Sequence, residues 1–172
     1  MGTQQILLIV LSVIIVGAAI AVGIQMFNSQ SYSASKSAIA ADAQSYASQI
    51  VQYYKTPTSQ GGAGGTLELG DEPKIANFIG WGSTTTTTEG GEGGEGGTTT
   101  TTANTTDNDN GEFKIIVAST TQVHVLGLGK EDNGTTKPAI KTTITLPKGT
   151  IVGTPKDVDT GTTIDALDVD DF

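Results

Sequence analysis

The sequence predicts an α+β fold: a long N-terminal α-helix, apolar in its first half and amphipathic in its second, packed against a small antiparallel β-sheet. Three observations predict it: an uncharged apolar run over residues 6–27, a stripe of apolar residues at helical period after it, and apolar–polar alternation between residues 113 and 152. A chain of 172 residues suffices for one small domain and an appendage. We therefore expect a helix over residues 1–56 and a β-rich domain over residues 57–172.

Residues 6–27 form an apolar run long enough to cross a membrane as a helix. No charge interrupts these 22 positions, and only Ser12 and Gln25 are polar. A hydrocarbon core of ~30 Å needs about 20 such residues. A cleaved signal peptide fits poorly, because no Lys or Arg precedes the run and because it exceeds the ~7–15 apolar residues of such peptides.

Two other interpretations of the run remain. An ordinary single-pass anchor usually carries basic residues at its cytoplasmic end, whereas the first lysine after this run is Lys36. The alternative is a helix that lies first in a membrane and is later buried against copies of itself. The following residues favour this alternative, since neither Pro nor Gly interrupts residues 28–55. A helix of residues 4–55 would be a rod of roughly 78 Å, too long for a small domain to cover.

The second half of the helix carries a stripe that predicts the face in contact with the sheet. Its members recur at helical spacing, with Ala43 and Ala47 on the same side: Tyr32, Ile39, Tyr46, Ile50 and Tyr53. Pro57 predicts a helix end at Thr56. Residues 28–35 are rich in serine and have the weakest helix propensity, so we expect a bend or a loosened turn there.

These residues together resemble the first helix of type IV pilins and related pilin-like filament subunits, bacterial or archaeal in type. The resemblance rests on Gln4-Gln5, the apolar run, the block Gly17-Ala18-Ala19-Ile20-Ala21, the continuation to Tyr53-Tyr54, and Pro57. Beyond the helix only the layout is similar.

The resemblance implies a leader removed by a prepilin peptidase, an often methylated N-terminus, and helices bundled into a filament core by pilus assembly machinery. It assigns to that core Gln5, Ile6, Leu7, Val10, Ile14, Gly17, Ile20, Gly23 and Phe27. The chain departs from most bacterial pilins, which have glutamate at the fifth mature position. Gln5 stands there if Met1 is the first mature residue, and Leu7 stands there if cleavage follows Gly2.

The second half of the chain predicts four antiparallel strands with one face on the helix. The first alternates through Phe113, Ile115 and Val117, and the second covers Val123 to Leu128. The third alternates through Ile140, Thr142, Ile144 and Leu146, and Ile151-Val152 adds a short fourth. The four aspartates of residues 165–172 predict that this tail stays at the surface.

A Thr/Gly/Glu-rich tract predicts a loop over residues 83–111. It contains two runs of five threonines around repeated Glu-Gly-Gly units and almost no apolar residue, so it cannot supply a core. Its threonines are candidates for O-glycans. Asn104 and Asn133 each begin an Asn-X-Thr triplet and are candidates for N-glycosylation outside the cytoplasm.

Two acidic clusters resemble partial calcium loops. Asp107 and Asp109 precede Gly111, and Asp157 and Asp159 precede Gly161. Oxygen ligands at alternate positions suit calcium, but neither cluster matches the EF-hand pattern, and such residues are also common in turns. Apart from calcium, we expect no cofactor.

Composition argues against several classes of function. The chain has no cysteine, which excludes disulfides and thiol chemistry, and its net charge of −9 argues against nucleic-acid binding. His124 is the single histidine, and no catalytic motif is present, so we do not expect an enzyme.

The expected function is therefore that of a structural subunit. The chain would assemble through its apolar helix into an extracellular pilus-like homopolymer that serves adhesion, surface attachment or motility, and it would lie in the cytoplasmic membrane before assembly. The alternatives are a non-polymerising single-pass membrane protein that displays a β domain, and a minor pseudopilin of a secretion system.

Overall fold

The computed structural model describes residues 2–81 and 104–172 and has the predicted α+β fold. Helix α1 spans Gly2–Lys55 and α2 spans Glu72–Phe78, with a 3₁₀ turn at Thr58–Gln60 between them. The strands are β1 (Thr105–Asp107), β2 (Gly111–Ser119), β3 (Gln122–Gly129), β4 (Thr136–Thr145) and β5 (Thr150–Asp159). Two further 3₁₀ turns follow at Ile164–Ala166 and Val169–Asp171.

Helix α1 is continuous over 54 residues. It ends one residue earlier than predicted, and the Thr56 amide donates to the Gln52 carbonyl directly before Pro57. The loosened turn expected at residues 28–35 is not found, since helical geometry continues through them. Helix formation is cooperative, so the favourable turns on either side carry this stretch of weak propensity.

The sheet is an antiparallel meander in the order β1-β2-β3-β4-β5. It has one strand more than predicted, because residues 105–107 of the expected loop pair with β2. The fourth predicted strand, reduced in the sequence to Ile151-Val152, is the ten-residue β5, paired with β4 along its whole length. This edge strand is largely exposed, so it lacks the apolar alternation that would have predicted it.

The main core lies between α1 and the inner face of the sheet. Ile39, Ala43, Ala47 and Ile50 of α1 are fully buried there. Their partners in the sheet include Phe113, Ile115, Val125 and Ile144. Gly127 has no side chain, and the Phe113 ring occupies the space that one would fill. A Cβ at Gly127 would lie 2.8 Å from Cε1 of that ring.

The outer face of the sheet is covered by residues 160–172, which we call the strap. Ile164 and Leu167 are buried against Leu126, Leu128 and Ala139 of β3 and β4. The prediction that residues 165–172 stay at the surface is therefore wrong for Leu167, although the strap's aspartates are all exposed. The apolar residues of the strap are few and are separated by these aspartates, so they form no sequence pattern that predicts their burial.

Three lysines of the outer face hold the strap. The Lys114 ammonium donates to the carbonyls of Asp165 and Leu167, and the Lys141 ammonium donates to that of Val169. Lys156 donates to the Asp171 carbonyl. Lys114 of β2 and Lys141 of β4 are the register partners of Leu126 on its two sides. The strap is therefore bound by polar contacts on both sides of Leu126, on which its apolar side chains pack.

We predict that Leu167→Ala destabilises the full chain in detergent by about 2–3 kcal/mol, because it empties a site where Leu167 is 2% exposed. Asp170→Asn, at an exposed strap position, serves as the matched control and should change the free energy of unfolding by less than about 0.5 kcal/mol. Thermal unfolding followed by circular dichroism measures both. Equal effects of the two substitutions would mean that the strap does not pack on the sheet.

Candidate assembly surface

The first half of α1 is an apolar rod that the other described residues do not cover. Its large hydrophobic residues between Ile6 and Phe27 are 50–72% exposed. Its most apolar 18-residue window has a mean hydropathy of 3.0 and is not buried at all. By length and composition this helix is able to cross a membrane.

All residues assigned to a filament core by the pilin resemblance lie on this rod. Gln5, Ile6, Leu7, Val10, Ile14, Ile20 and Phe27 are exposed. Gly17 and Gly23 have open space where a Cβ would stand. The rod is apolar on all sides rather than along one stripe, which is typical of a helix surrounded by lipid or by other helices.

The amount of exposed apolar surface is too large for the rod to remain in water. Fifteen large hydrophobic side chains are exposed between residues 6 and 27. Burying such a side chain contributes about 1.5–3 kcal/mol, so the rod forgoes on the order of 20 kcal/mol or more in water. That exceeds the ~5–15 kcal/mol by which a domain is usually stable. Lipid or further copies of the chain are needed to cover it.

The β domain is joined to the rod without a flexible linker. Ser35 is the first buried residue of α1, eight positions after Phe27 on the same uninterrupted helix. At ~1.5 Å per residue the domain therefore begins about 12 Å beyond the rod. One helix thus joins the rod to the domain, because the second half of α1 belongs to the core of the domain.

The predicted packing stripe of α1 faces the domain. Ile39 and Ile50 are buried against the sheet, and Tyr53 stacks edge-on against Phe78 of α2 at 5.3 Å. Tyr46 is half-buried and makes edge contacts with Trp81 and Phe113 at 5.0 and 5.1 Å. Tyr32 lies at the edge of the interface, with its hydroxyl 3.5 Å from the Thr136 hydroxyl.

Polar contacts missed by the sequence pattern hold α1 against the hairpin turns. The Asp42 carboxylate accepts hydrogen bonds from the side-chain amides of Asn108 and Asn110 at 2.9 and 2.8 Å. Lys36 pairs with Asp157 at 2.7 Å, and this hydrogen bond lowers the pKa of Asp157. A single charged residue on a helix does not reveal which residues it will contact. Its partners are brought to it by the register of the strands, and the spacing of residues along the sequence does not show this.

The two calcium candidates differ in their local structure. Asp157 and Asp159 lie in extended strand β5, so the loop expected around them is not found. Asp107 pairs with Lys130 at 2.8 Å, and Asp109 is exposed in the β1–β2 turn. Among residues 2–81 and 104–172, no group of three or more His, Asp and Glu is placed to hold a metal ion.

The two glycosylation triplets differ in their surroundings. The Asn104 side-chain amide donates to the Ile115 carbonyl and is half-buried. Asn133 is exposed in the β3–β4 turn, where its side-chain oxygen accepts from the amides of Thr135 and Thr136. The threonine runs lie in residues 82–103, outside the described residues.

His124 is a packed residue of the outer face. It is 6% exposed, and its Nδ1 lies 3.1 Å from the Thr143 hydroxyl. Burial lowers the pKa of His124, and the nearby Lys141 ammonium lowers it further. The burial of the ring and its contact with Thr143 account for His124 as part of the fold.

No protein-family model, curated protein or solved structure matches this chain.

We predict that the free energy of unfolding falls as pH drops below about 6.5, the ordinary pKa of histidine. The pKa of His124 is lowered in the folded chain, so the unfolded chain takes up the proton first and is favoured as pH falls towards the folded value. His124→Gln should remove the dependence of the free energy of unfolding on pH between about pH 6.5 and 5. This window lies above the ordinary pKa of carboxylates. Unfolding curves that keep this slope in the variant would contradict the assignment to His124.

Proposed function

We propose that this chain is the structural subunit of an extracellular pilus-like homopolymer that serves adhesion, surface attachment or motility. The observation that carries the proposal is the apolar rod, which is continuous with a folded domain and which the other described residues leave uncovered on every side. This molecule would bind a partner by burying its apolar surface, and not through a catalytic centre.

The rod suits two successive environments. Before assembly it lies in the cytoplasmic membrane, where a 22-residue apolar helix satisfies its own backbone hydrogen bonds. After removal of a leader by a prepilin peptidase, assembly machinery moves it into a core built of equivalent helices. The domain, which carries all the charged side chains of the described residues, then forms the outer coat.

Several features favour assembly over a plain membrane anchor. The glycines Gly17 and Gly23 face open space, so a neighbouring helix could approach their backbone closely. The serine within the rod is satisfied by its own helix, since the Ser12 hydroxyl donates to the Ile9 carbonyl at 2.8 Å. No charge interrupts the rod, and Gln25 is its one other polar side chain.

We predict that Ile20→Asp abolishes filaments, because it places a charge in a core that excludes water. Ile20 is 58% exposed in the single chain, and Val152 of β5 is 56% exposed. Val152→Asp is therefore a matched control that should leave filaments intact. Electron microscopy and mass spectrometry of sheared surface material measure both.

A carboxylate also hinders membrane insertion, so a second variant separates the two effects. Gly23→Leu stays apolar, and its Cβ would have open space around it, so membrane insertion should persist while close helix packing fails. Normal filaments from both variants would contradict core burial of the rod. If the wild-type chain gives only membrane-bound monomers, the function is that of a single-pass protein that displays its domain.

A further inference from the structure

Most lysines of this chain have an acceptor within their own molecule, and three do not have one among the described residues. The bound lysines reach a carboxylate or a main-chain carbonyl, and they are Lys36, Lys74, Lys114, Lys130, Lys141 and Lys156. Within residues 2–81 and 104–172, Lys55, Lys137 and Lys148 bind no acceptor. Two of these three lysines lie close together.

Lys55 and Lys148 meet at the end of the domain that is farther from the rod, which we call the distal end. Lys55 is the last residue of α1, and Lys148 lies in the β4–β5 turn. This turn packs on α1, since a Cβ at Gly149 would lie 3.0 Å from Cγ1 of Val51. Residues four apart share one side of a helix, so Val51 places Lys55 beside the turn. Both lysines are exposed, so the distal end presents two positive charges.

The carboxylates near α2 at the distal end are engaged elsewhere. Asp71 pairs with Lys74 at 2.7 Å, and a carboxylate oxygen of Glu72 accepts the Val117 amide at 3.0 Å. The pKa of Lys74 is raised by Asp71 and, more weakly, by Glu68, so the field of Glu68 acts on Lys74.

The opposite end of the domain, next to the rod, has a cleft that carries two carboxylates. Small residues of α1 between Ser31 and Ala38 line one side of this cleft, and Asp109 and Glu131 of the hairpin turns line the other. We call it the proximal cleft. Asp109 and Glu131 are exposed and have no lysine partner among the described residues. The neighbouring Lys130 pairs with Asp107 at 2.8 Å, outside the cleft lining.

The distal lysines and the proximal cleft are too far apart to meet within one molecule. Glu131 precedes β4 and Lys148 follows it, and this strand has ten residues. At ~3.3 Å per residue it separates the two side chains by roughly 33 Å. Along α1, the 20 residues from Ser35 to Lys55 give a similar separation of roughly 30 Å. A second copy shifted by this length along α1 therefore brings its cleft onto the lysines.

We propose that the distal lysines of one copy dock in the proximal cleft of the next copy. The two ammonium groups meet the two carboxylates there, and the contact sets the spacing of the domains along the filament. This inference rests on the proposed function. The contact joins two different surfaces, so each copy keeps one of each for a further neighbour. Exposed charge pairs give specificity more than affinity, so the apolar rod still supplies most of the association energy.

Charge exchange tests this contact, because an exchanged pair restores the attraction. Lys148→Glu and Glu131→Lys should each reduce the yield of sheared filaments at least three-fold, since each places like charges opposite one another. The double variant Lys148→Glu/Glu131→Lys should return the yield to that of the wild type. Lys137→Glu, which changes the net charge as Lys148→Glu does, is the matched control and should assemble normally.

The unassembled chain in detergent provides the folding control. Lys148 and Glu131 are exposed, so both single variants should unfold at the thermal midpoint of the wild type. A lowered midpoint of Lys148→Glu would overturn the proposal, because it would mean that Lys148 binds a carboxylate of its own chain.

Cysteine cross-linking gives an independent test, because the chain has no cysteine of its own. In filaments, Lys148→Cys/Glu131→Cys should give a ladder of covalent multimers on oxidation. A disulfide needs Cα atoms within about 7 Å, so two positions at opposite ends of β4 can be joined only between copies. Lys148→Cys/Thr154→Cys, with its second cysteine exposed on β5, should give no ladder.

The two proposals fail in different ways. If the wild-type chain forms no filaments, the proposed function is wrong and this contact is wrong with it. If filaments form but the single charge variants assemble normally, the double exchange restores nothing, or the cysteine pair gives no ladder, the contact is overturned and the filament function stands.

Discussion

The structure depends on one constraint: half of its longest element packs against none of the other residues in 2–81 and 104–172. A core of this size accommodates the part of α1 that carries the Ile39–Ala43–Ala47–Ile50 stripe, and no more. The remaining turns are apolar on every side, and the energy forgone by their exposure exceeds the stability of an ordinary domain. The native environment of this chain therefore includes lipid or other chains, and the single molecule is an incomplete unit.

The second half of α1 joins the rod to the domain through apolar and polar contacts. One side of it supplies the inner core. Lys36 pairs with Asp157 of β5, and Asp42 accepts hydrogen bonds from the side-chain amides of Asn108 and Asn110. Lys55, the third charged residue of this half, is exposed.

The sequence predicted the elements that carry a long apolar run or a regular apolar period. Residues 6–27 are recognised by an unbroken apolar run. The tyrosine–isoleucine stripe and the alternation around Phe113 and Ile144 each follow from a single period, and the structure has the corresponding helix and strands. The full length of strand β5 was not predicted, because an exposed edge strand needs no apolar side. The burial of Leu167 was not predicted, because one buried leucine among aspartates forms no periodic pattern. The polar partners of α1 depended on strand register, which composition does not encode. For the assembly surface, the sequence supplied the residues, whereas only the structure separated the covered residues of α1 from the exposed ones.

The distribution of charge links the fold to the way it would assemble. No Asp, Glu, Lys, Arg or His precedes Lys36, so the rod contributes apolar burial alone, a force that added salt does not screen. The charged side chains of the described residues lie on the domain and on the second half of α1, where most aspartates face outwards and three lysines are engaged by the strap. The net negative charge of the chain therefore lies outside the rod. In the proposed polymer this charge would lie in the outer coat, where it would keep neighbouring polymers apart.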